Sequence, residues 1–286
     1  MQTTLFNYTT LSTRLEKSTR TLFVTLNRAD WQNAFRLEML FELESLFAWC
    51  TSRVEINTLF IDSSSAEFST GLELENLSGL TPAMLDKINS KLQKIIFAMM
   101  QLPQTIVIDL GKGSQTLASE FAMGADIRIA SRDSKICFNH CHYGLVPAAG
   151  GMSMLSTLVS PTYARAWVLS GAPLNETGLT QSGFLNQTYK ENRNELIAKL
   201  LSGIASLAPV QRIQAKLGLF ETLRNQFENG IVMDRKIAKA SMVSEDWRTK
   251  KPETKDKAFD FMPAKSMSYS VKLSLVKNEE TPTIEQ

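Results

Sequence analysis

The chain has few of the residues that mark several common kinds of protein. Its three cysteines, Cys50, Cys137 and Cys141, are too few and too irregularly spaced for a disulfide framework, so we expect a reducing compartment. Its 31 basic and 29 acidic residues leave a net charge of +2, without a long basic block outside residues 248–257. This balance gives no indication of nucleic-acid binding.

Long apolar segments are also missing from the sequence. No run of about 18 apolar residues, the length needed to cross a bilayer as a helix, occurs in the chain. The first residues, MQTTLFNYTTLSTRLEK, have no apolar core of the kind found in signal peptides. The sequence therefore predicts a cytoplasmic protein without a membrane span.

What is present is a regular alternation of strand and helix patterns in a chain of 286 residues, long enough to bury a sizeable core. The predicted strands are Thr21–Leu26, Thr58–Asp62, 105–108, 126–130 and 135–138. The predicted helices are Leu37–Trp49, Met84–Gln101, Leu117–Ala125, Glu191–Gly203, Pro209–Asn229 and Val232–Ser241. Strand patterns fade from Pro161 onward. An α/β fold with a helical C-terminal region is the expected class.

The stretch from Gln104 to Gly151 holds the pattern most typical of a buried pocket. Residues 106–108 are apolar and β-branched, as a strand covered on both faces requires, and small residues then break it. Glu120 follows in the first turn of an otherwise apolar helix. A carboxylate there either interacts with the helix N-terminus or serves as an acid or base in a dry site, and the residues alone leave both open.

Five groups of residues occur in an order that is typical of one family. They are Leu26-Asn27-Arg28 with Asn33-Ala34; Phe68-Ser69-Thr70-Gly71; Glu120 with Ala122-Met123 and Ala125-Asp126-Ile127; Gly144–Gly151, which reads GLVPAAGG; and Leu169-Ser170-Gly171. Through them the chain resembles the crotonases, the enoyl-CoA hydratase/isomerase superfamily. The resemblance covers residues 15–190, and more faintly Pro209–Lys216.

The resemblance implies an architecture and an assembly. It implies a crotonase-like spiral of repeated β-β-α units in residues 1–190 and a helical C-terminal region in residues 191–265. That region commonly makes trimer contacts in the family, so a homotrimer or a dimer of trimers is expected. The polar tail, residues 266–286, is a candidate for disorder, although 271–276 could dock.

The resemblance also implies chemistry on an acyl thioester, such as an acyl-CoA. As an enolate forms, two backbone amides bind the carbonyl oxygen, and acid/base groups act on the adjacent carbons. Carried over to this chain, the oxyanion amides fall on Thr70 and Leu117. Where the family commonly has a glycine run, this chain has Thr116, Leu117 and Ala118. If the Leu117 amide points inward only with positive φ, that residue is strained; alternatively Leu117 simply packs and the anion site is distorted.

Two residues are the candidates for proton transfer. Glu120 matches the first of the two carboxylates that act in the hydratases, and His140 stands where the second is expected, seven residues before Pro147. A neutral imidazole both donates and accepts, and its usual pKa suits proton transfer at neutral pH. We therefore expect Glu120 and His140 to face one cavity. The alternative is that His140, and more so His142, is a buried histidine satisfied by the backbone.

A metal site is not predicted, although Cys137, His140, Cys141 and His142 lie close together in the sequence. A structural zinc site usually combines two ligand clusters, and alternate residues of a strand point to opposite faces. Cys141 has no identified base that would make it a nucleophile.

Coenzyme A is expected only as part of the substrate, with no permanently bound cofactor. Trp31 occupies a position that is commonly basic in the family, and it could stack on adenine or be an ordinary surface aromatic. Phe259 and Lys265 resemble a C-terminal pair that reaches coenzyme A, in some members across a subunit boundary. A carrier-protein thioester, with only a pantetheine arm, would depend less on these positions.

Three functions remain open on the sequence. The first is isomerase or hydratase (lyase) chemistry on an acyl thioester in fatty acid metabolism, with Glu120 and His140 sharing proton transfer. The second is a thioester hydrolase or decarboxylase acting on a CoA or carrier-protein substrate. The third is a catalytically degenerate crotonase kept as a binding or assembly protein.

Overall fold

A six-stranded, mainly parallel sheet forms the centre of the protein. The computed structural model describes residues 6–73, 77 and 79–249. The strands in this range are β1 (Leu11–Glu16), β2 (Thr21–Leu26), β3 (Thr58–Ser63), β4 (Thr105–Asp109), β5 (Gly113–Ser114), β6 (Ile127–Ser131), β7 (Lys135–Ile136) and β8 (Gln187–Tyr189). The sheet order is β1-β2-β3-β4-β6-β8, with β1 antiparallel to β2 and every other pair parallel. The short β5 and β7 pair separately, in parallel.

Helices cover both faces of this sheet. In the described range they are α1 (Leu37–Cys50), α2 (Pro82–Gln101), α3 (Thr116–Ala122), α4 (Leu155–Leu158), α5 (Pro161–Ser170), α6 (Glu176–Gln181), α7 (Arg193–Ala205), α8 (Pro209–Glu221), α9 (Arg224–Ser241) and α10 (Asp246–Thr249). The main core lies under α1, α2 and α3. A smaller apolar cluster on the other face joins β3, β4 and β6 to α7.

The central strands form because their residues suit burial on both faces. In β4 the residues Ile106, Val107 and Ile108 are completely buried, with alternate side chains in the two apolar clusters. β-Branched side chains pack well on a pleated surface, and a parallel strand covered by helices needs apolar residues on both sides. The predicted strand at 105–108 is therefore confirmed, and it leads directly to the turn before α3.

The structure corrects several predicted elements. The prediction that strands end near residue 138 is wrong, because β8 pairs with β6 at residues 187–189. Its sequence, Gln-Thr-Tyr, is short and polar, so it carried no strand pattern. The predicted helix Pro209–Asn229 is two helices, since α8 ends at Glu221 and α9 begins at Arg224. β1, which no pattern predicted, pairs antiparallel at the sheet edge.

Some predictions are not tested by these elements. The division into residues 1–190 and 191–265 remains a prediction. The tail at 266–286, and with it the segment at 271–276, lies outside the described residues. Within the described part of the chain no single helix is long and apolar enough to span a membrane. Only α7 and α8 taken together, bent by 100° at their junction, meet the criteria of length and composition.

An ion-pair cluster fastens the start of α7 to the carboxyl ends of the strands. Arg193 donates from Nε to Asp109 Oδ2 at 2.6 Å and from Nη2 to Asp62 Oδ2 at 3.0 Å. The Tyr189 hydroxyl donates to Asp109 Oδ1 at 2.8 Å. The Asp109 side chain is 1% exposed. A buried carboxylate at this position therefore depends on Arg193 for charge compensation.

Replacing Arg193 by alanine is expected to lower the free energy of unfolding by about 3 kcal/mol, because Asp109 is left buried without its cation. Arg36→Ala is the matched control, since the side chains of Arg36 and Glu38 are 51% and 43% exposed and such pairs contribute less than about 1 kcal/mol. Urea unfolding followed by circular dichroism measures both. Equal losses for the two variants would contradict the role given to Arg193.

Candidate active site

Glu120 lies at the centre of the candidate site, completely buried in α3. Its Oε1 accepts hydrogen bonds from the backbone amides of Ala149 at 2.7 Å and Gly151 at 2.8 Å. Its Oε2 lies 3.0 Å from Nε2 of His140. Three donors therefore surround one carboxylate.

The small residues of the GLVPAAGG motif explain how two amides reach one oxygen. Gly150 adopts a positive φ of 117°, which glycine takes without strain. A side chain at Gly151 would place its Cβ 2.9 Å from Glu120 Oε1, too close for ordinary packing. The turn thus needs glycine at 150 for its conformation and at 151 for the approach of the carboxylate.

His140 is the second titratable group of the site, in a 3-10 segment from Asn139 to Tyr143. It is 2% exposed, and its Nδ1 is buried without a hydrogen-bond partner in the described structure. A carboxylate oxygen accepts hydrogen bonds, so the nitrogen that faces Glu120 Oε2 is assigned as the N–H of the ring. Nδ1 then carries a lone pair and can accept a proton.

The two histidines and the nearby Cys137 make different contacts in the structure. His140 contacts Glu120, so the backbone-satisfied alternative is wrong for it. His142 does contact the backbone, since its Nε2 lies 2.9 Å from the Ser170 carbonyl, but it is exposed rather than buried. Cys137 is buried with its thiol directed to another backbone carbonyl. Over residues 6–73, 77 and 79–249, no group of three or more His, Cys, Asp or Glu side chains is placed to hold a metal ion.

One of the two predicted oxyanion amides has an acceptor in this structure. The Thr70 amide donates to the Gln32 carbonyl at 3.2 Å within a loop, and its assignment to the oxyanion site stays a prediction. On the same turn Leu72 lines the cavity beside His140. Leu117 also lines the cavity, and as the second residue of α3 its amide has no acceptor within the helix. Leu72 and Leu117 therefore lie together at this end of the cavity.

Thr116 fills the space between the two turns that carry these amides. Its Oγ1 accepts from the Leu72 amide at 3.0 Å and donates to the Thr70 carbonyl at 3.2 Å. Its φ is +43°, a conformation that β-branched residues rarely adopt. A Cβ on Gly71 would overlap the Thr116 hydroxyl. The strain considered for Leu117 thus falls on Thr116, one residue earlier.

The cavity beside these groups is nearly closed. Its volume is about 20 Å³, which is space for about one water molecule, whereas pockets for small ligands usually reach hundreds of Å³. It is lined by Leu72, Leu85, Asn89, Thr116, Leu117, His140, Leu145, Val146, Ala238, Ser241 and Met242. A larger recess of about 900 Å³ lies between β1, β2 and α7, away from Glu120.

Helix α9 carries a group that the sequence analysis missed. Asp234 is 2% exposed, and its Oδ2 accepts from the Ser153 hydroxyl at 2.9 Å and the Ser153 amide at 3.3 Å. Burial raises its pKa to about 7; the Ser153 hydrogen bonds act in the opposite direction, and the charge of Glu120 adds to the increase. Phe227, Asp234 and Ala238 are the buried positions of α9. A carboxylate at helical spacing from apolar residues was the available signal.

The predicted coenzyme A contacts remain predictions. Trp31 is 50% exposed, with the guanidinium carbon of Arg28 6.0 Å from its ring centroid. This geometry suits either of the two roles considered for Trp31. Phe259 and Lys265 lie outside the described residues.

The chain is similar to two curated isomerases over part of its length. The chain is 25% identical over 178 residues to the trans-2-decenoyl-[acyl-carrier-protein] isomerase of Streptococcus mutans, covering 61% of this chain and 68% of that protein. It is 25% identical over 185 residues to the 1,2-epoxyphenylacetyl-CoA isomerase of Escherichia coli, covering 62% and 68%.

The fold and the family are shown by two further findings. The crystal structure of an enoyl-CoA hydratase from Bacillus halodurans superposes with a TM-score of 0.78 at 16% identity, covering 85% of this chain and 98% of that one. This likeness confirms the predicted crotonase-like α/β fold. The model of the enoyl-CoA hydratase/isomerase family matches residues 16–256. The chain belongs to the enoyl-CoA hydratase/isomerase family.

Proposed function

We propose that the protein is an enoyl-thioester isomerase that moves a proton between two carbon atoms of an acyl thioester through an enolate. The observation that carries this proposal is the state of the Glu120–His140 pair. Both carboxylate oxygens of Glu120 are occupied by donors, whereas Nδ1 of His140 is buried without a partner. One proton acceptor is therefore available beside the cavity.

The number of available acceptors favours isomerisation over hydration. Hydration of a double bond needs one group to activate water and another to deliver a proton to carbon. A shift of the double bond needs one carrier, which takes a proton from one carbon and returns it to the other. His140 Nδ1 fits that carrier, while Glu120 holds Nε2–H and stabilises the imidazolium that forms. The names of the two relatives above, both isomerases, support the same class of reaction.

The enolate needs an anion site, which we assign to the amides of Leu117 and Leu72. The Leu117 amide, at the start of α3, has no acceptor within the helix. Leu117 and Leu72 both line the cavity. The Leu72 amide is occupied by Thr116 Oγ1 in this structure. Binding of a thioester carbonyl therefore requires the Thr116 hydroxyl to turn away. Two such donors, preorganised in a dry site, stabilise developing negative charge strongly.

The wider setting is proposed on the family and on composition. The substrate is an acyl thioester of coenzyme A or of a carrier protein, and no other cofactor takes part in the reaction. We further propose a homotrimer or dimer of trimers in the cytoplasm, acting in fatty acid metabolism. Light scattering over a range of concentrations tests the assembly.

The reaction is tested by incubating 2-enoyl and 3-enoyl thioesters with the protein in D₂O. Each acyl chain is supplied once on coenzyme A and once on a carrier protein, and the products are analysed by mass spectrometry and NMR. We expect interconversion of the two isomers with deuterium incorporated at carbon. Addition of water to the double bond would indicate a hydratase, and release of free thiol a hydrolase; either outcome contradicts the isomerase proposal.

A second candidate function is a binding or assembly protein without catalysis. It is favoured by the small cavity of about 20 Å³ and by the Thr116 hydroxyl, which accepts a hydrogen bond from the Leu72 amide. A thermal-shift series with free coenzyme A and acyl-CoAs distinguishes the two. If no thioester changes the melting temperature or exchanges deuterium, the assembly function replaces the isomerase.

A further inference from the structure

Asp234 connects helix α9 to the turn that holds Glu120. Its carboxyl group accepts from both the amide and the hydroxyl of Ser153. Ser153 lies two residues after Gly151, whose amide donates to Glu120 Oε1. Within this turn the Met154 amide donates to the Gly150 carbonyl at 2.7 Å, so the segment is internally braced.

Helix α9 lies directly against the same turn. A Cβ added at Gly230 would come within 2.5 Å of the Ser153 side chain, so the helix backbone is in close contact there. Further along, Ala238 and Ser241 of the same helix line the closed cavity, followed by Met242. Helix α9 thus contacts the turn that holds Glu120 at one point and lines the closed cavity at another.

We propose that Asp234 is a positioning residue for the proton-transfer site: it holds the Gly150–Ser153 turn against helix α9 and thereby fixes the two amides that orient Glu120. This inference rests on the proposed proton transfer by Glu120 and His140. Asp234 does not contact the imidazole. It acts through the turn, so its loss displaces Glu120 without removing a reacting group.

The protonation of Asp234 makes this connection sensitive to pH. Burial is the main cause of the raised pKa of Asp234, and the charge of Glu120 adds to it, whereas the neighbouring Arg235 and Lys239 pair with Asp86 on α2. Since its pKa rises from 3.8 to about 7 on folding, the folded chain binds the proton more tightly. The stabilisation from this proton is complete below pH 3.8 and is lost as the pH rises through about 7.

The test uses the full chain and the variants Asp234→Ala, which removes the acceptor of both Ser153 hydrogen bonds, and Ser153→Ala, with Glu228→Gln as the control on the exposed face of α9. Isomerisation is measured from pH 5.5 to 9. Wild type is expected to show an inflection near pH 7 that Asp234→Ala lacks. The kcat of Asp234→Ala is expected to be about 10-fold lower than that of wild type, with KM within about twofold, because a small displacement away from the reacting atoms costs rate. Ser153→Ala is expected to change kcat in the same direction.

A second measurement does not depend on activity. Hydrogen exchange at the Ala149 and Gly151 amides is expected to be about 10-fold faster in Asp234→Ala than in wild type. Wild-type kcat, pH profile and amide exchange in both variants would overturn the positioning role. If wild type turns over no thioester, the proposed function fails, and amide exchange alone decides: faster exchange supports the connection, and unchanged exchange refutes it.

Discussion

Replacing Glu120 by glutamine is expected to lower isomerase turnover by about 10²–10⁴-fold. The glutamine oxygen can still accept from the Ala149 and Gly151 amides, which leaves its NH₂ group facing His140. An amide N–H donates, so the imidazole must present Nε2 as an acceptor and carry its proton on Nδ1. The tautomer is then wrong for taking a proton from substrate, although the shape of the site is kept.

Steady-state kinetics on the enoyl thioester measure this loss, and Glu221→Gln, an exposed carboxylate of α8, is the control. His140→Ala should lose a similar factor. Because the two groups act as one unit, the double variant should be little worse than either single variant. Wild-type turnover in Glu120→Gln would show that the proposed mechanism is wrong even though the fold is right.

Replacing Thr116 by glycine is expected to raise turnover or thioester affinity by up to about 10²-fold, the factor that a single oxyanion donor contributes in other enzymes. The Thr116 hydroxyl now occupies the Leu72 amide, and glycine removes it. Glycine also adopts the positive φ of 43° without strain, which offsets the lost side-chain hydrogen bonds. The free energy of unfolding should therefore change by less than about 1 kcal/mol.

Two further substitutions separate the causes. Thr116→Ser keeps the hydroxyl and is expected to behave as wild type. Thr116→Val removes the hydroxyl but keeps the bulk and the strained backbone, so it should be less stable and gain little activity. If Thr116→Gly is no more active than Thr116→Ser, the hydroxyl does not obstruct the anion site.

Much of the fold could be predicted because its signals are local. The buried strand at 106–108, the small-residue turns and the helical periodicity of residues 84–101 each reflect the burial of a single element. β8 was not predicted because its three polar residues have no strand pattern of their own and join the sheet only by pairing with β6. The break between α8 and α9 likewise has no strong local marker.

The site was predicted in part for the same reason. The family resemblance placed Glu120 and His140 at one site, and the structure puts their side chains 3.0 Å apart. It could not show which backbone amides already have an acceptor, because that depends on contacts distant in sequence, such as that of Thr70 with Gln32. Asp234 was missed because its partner, Ser153, is 81 residues away.

The sequence by itself determined the family, the α/β class and the identity of the two residues proposed for proton transfer, because ordered motifs and local periodicity survive in a single chain. Only the tertiary structure decided which atoms of the site already take part in hydrogen bonds and which do not. Three donors fill the Glu120 carboxylate, His140 keeps one free nitrogen, and Thr116 covers an amide that the chemistry needs. Whether a polar atom has a hydrogen-bond partner is set by segments that folding brings together. Composition and spacing do not encode those contacts locally.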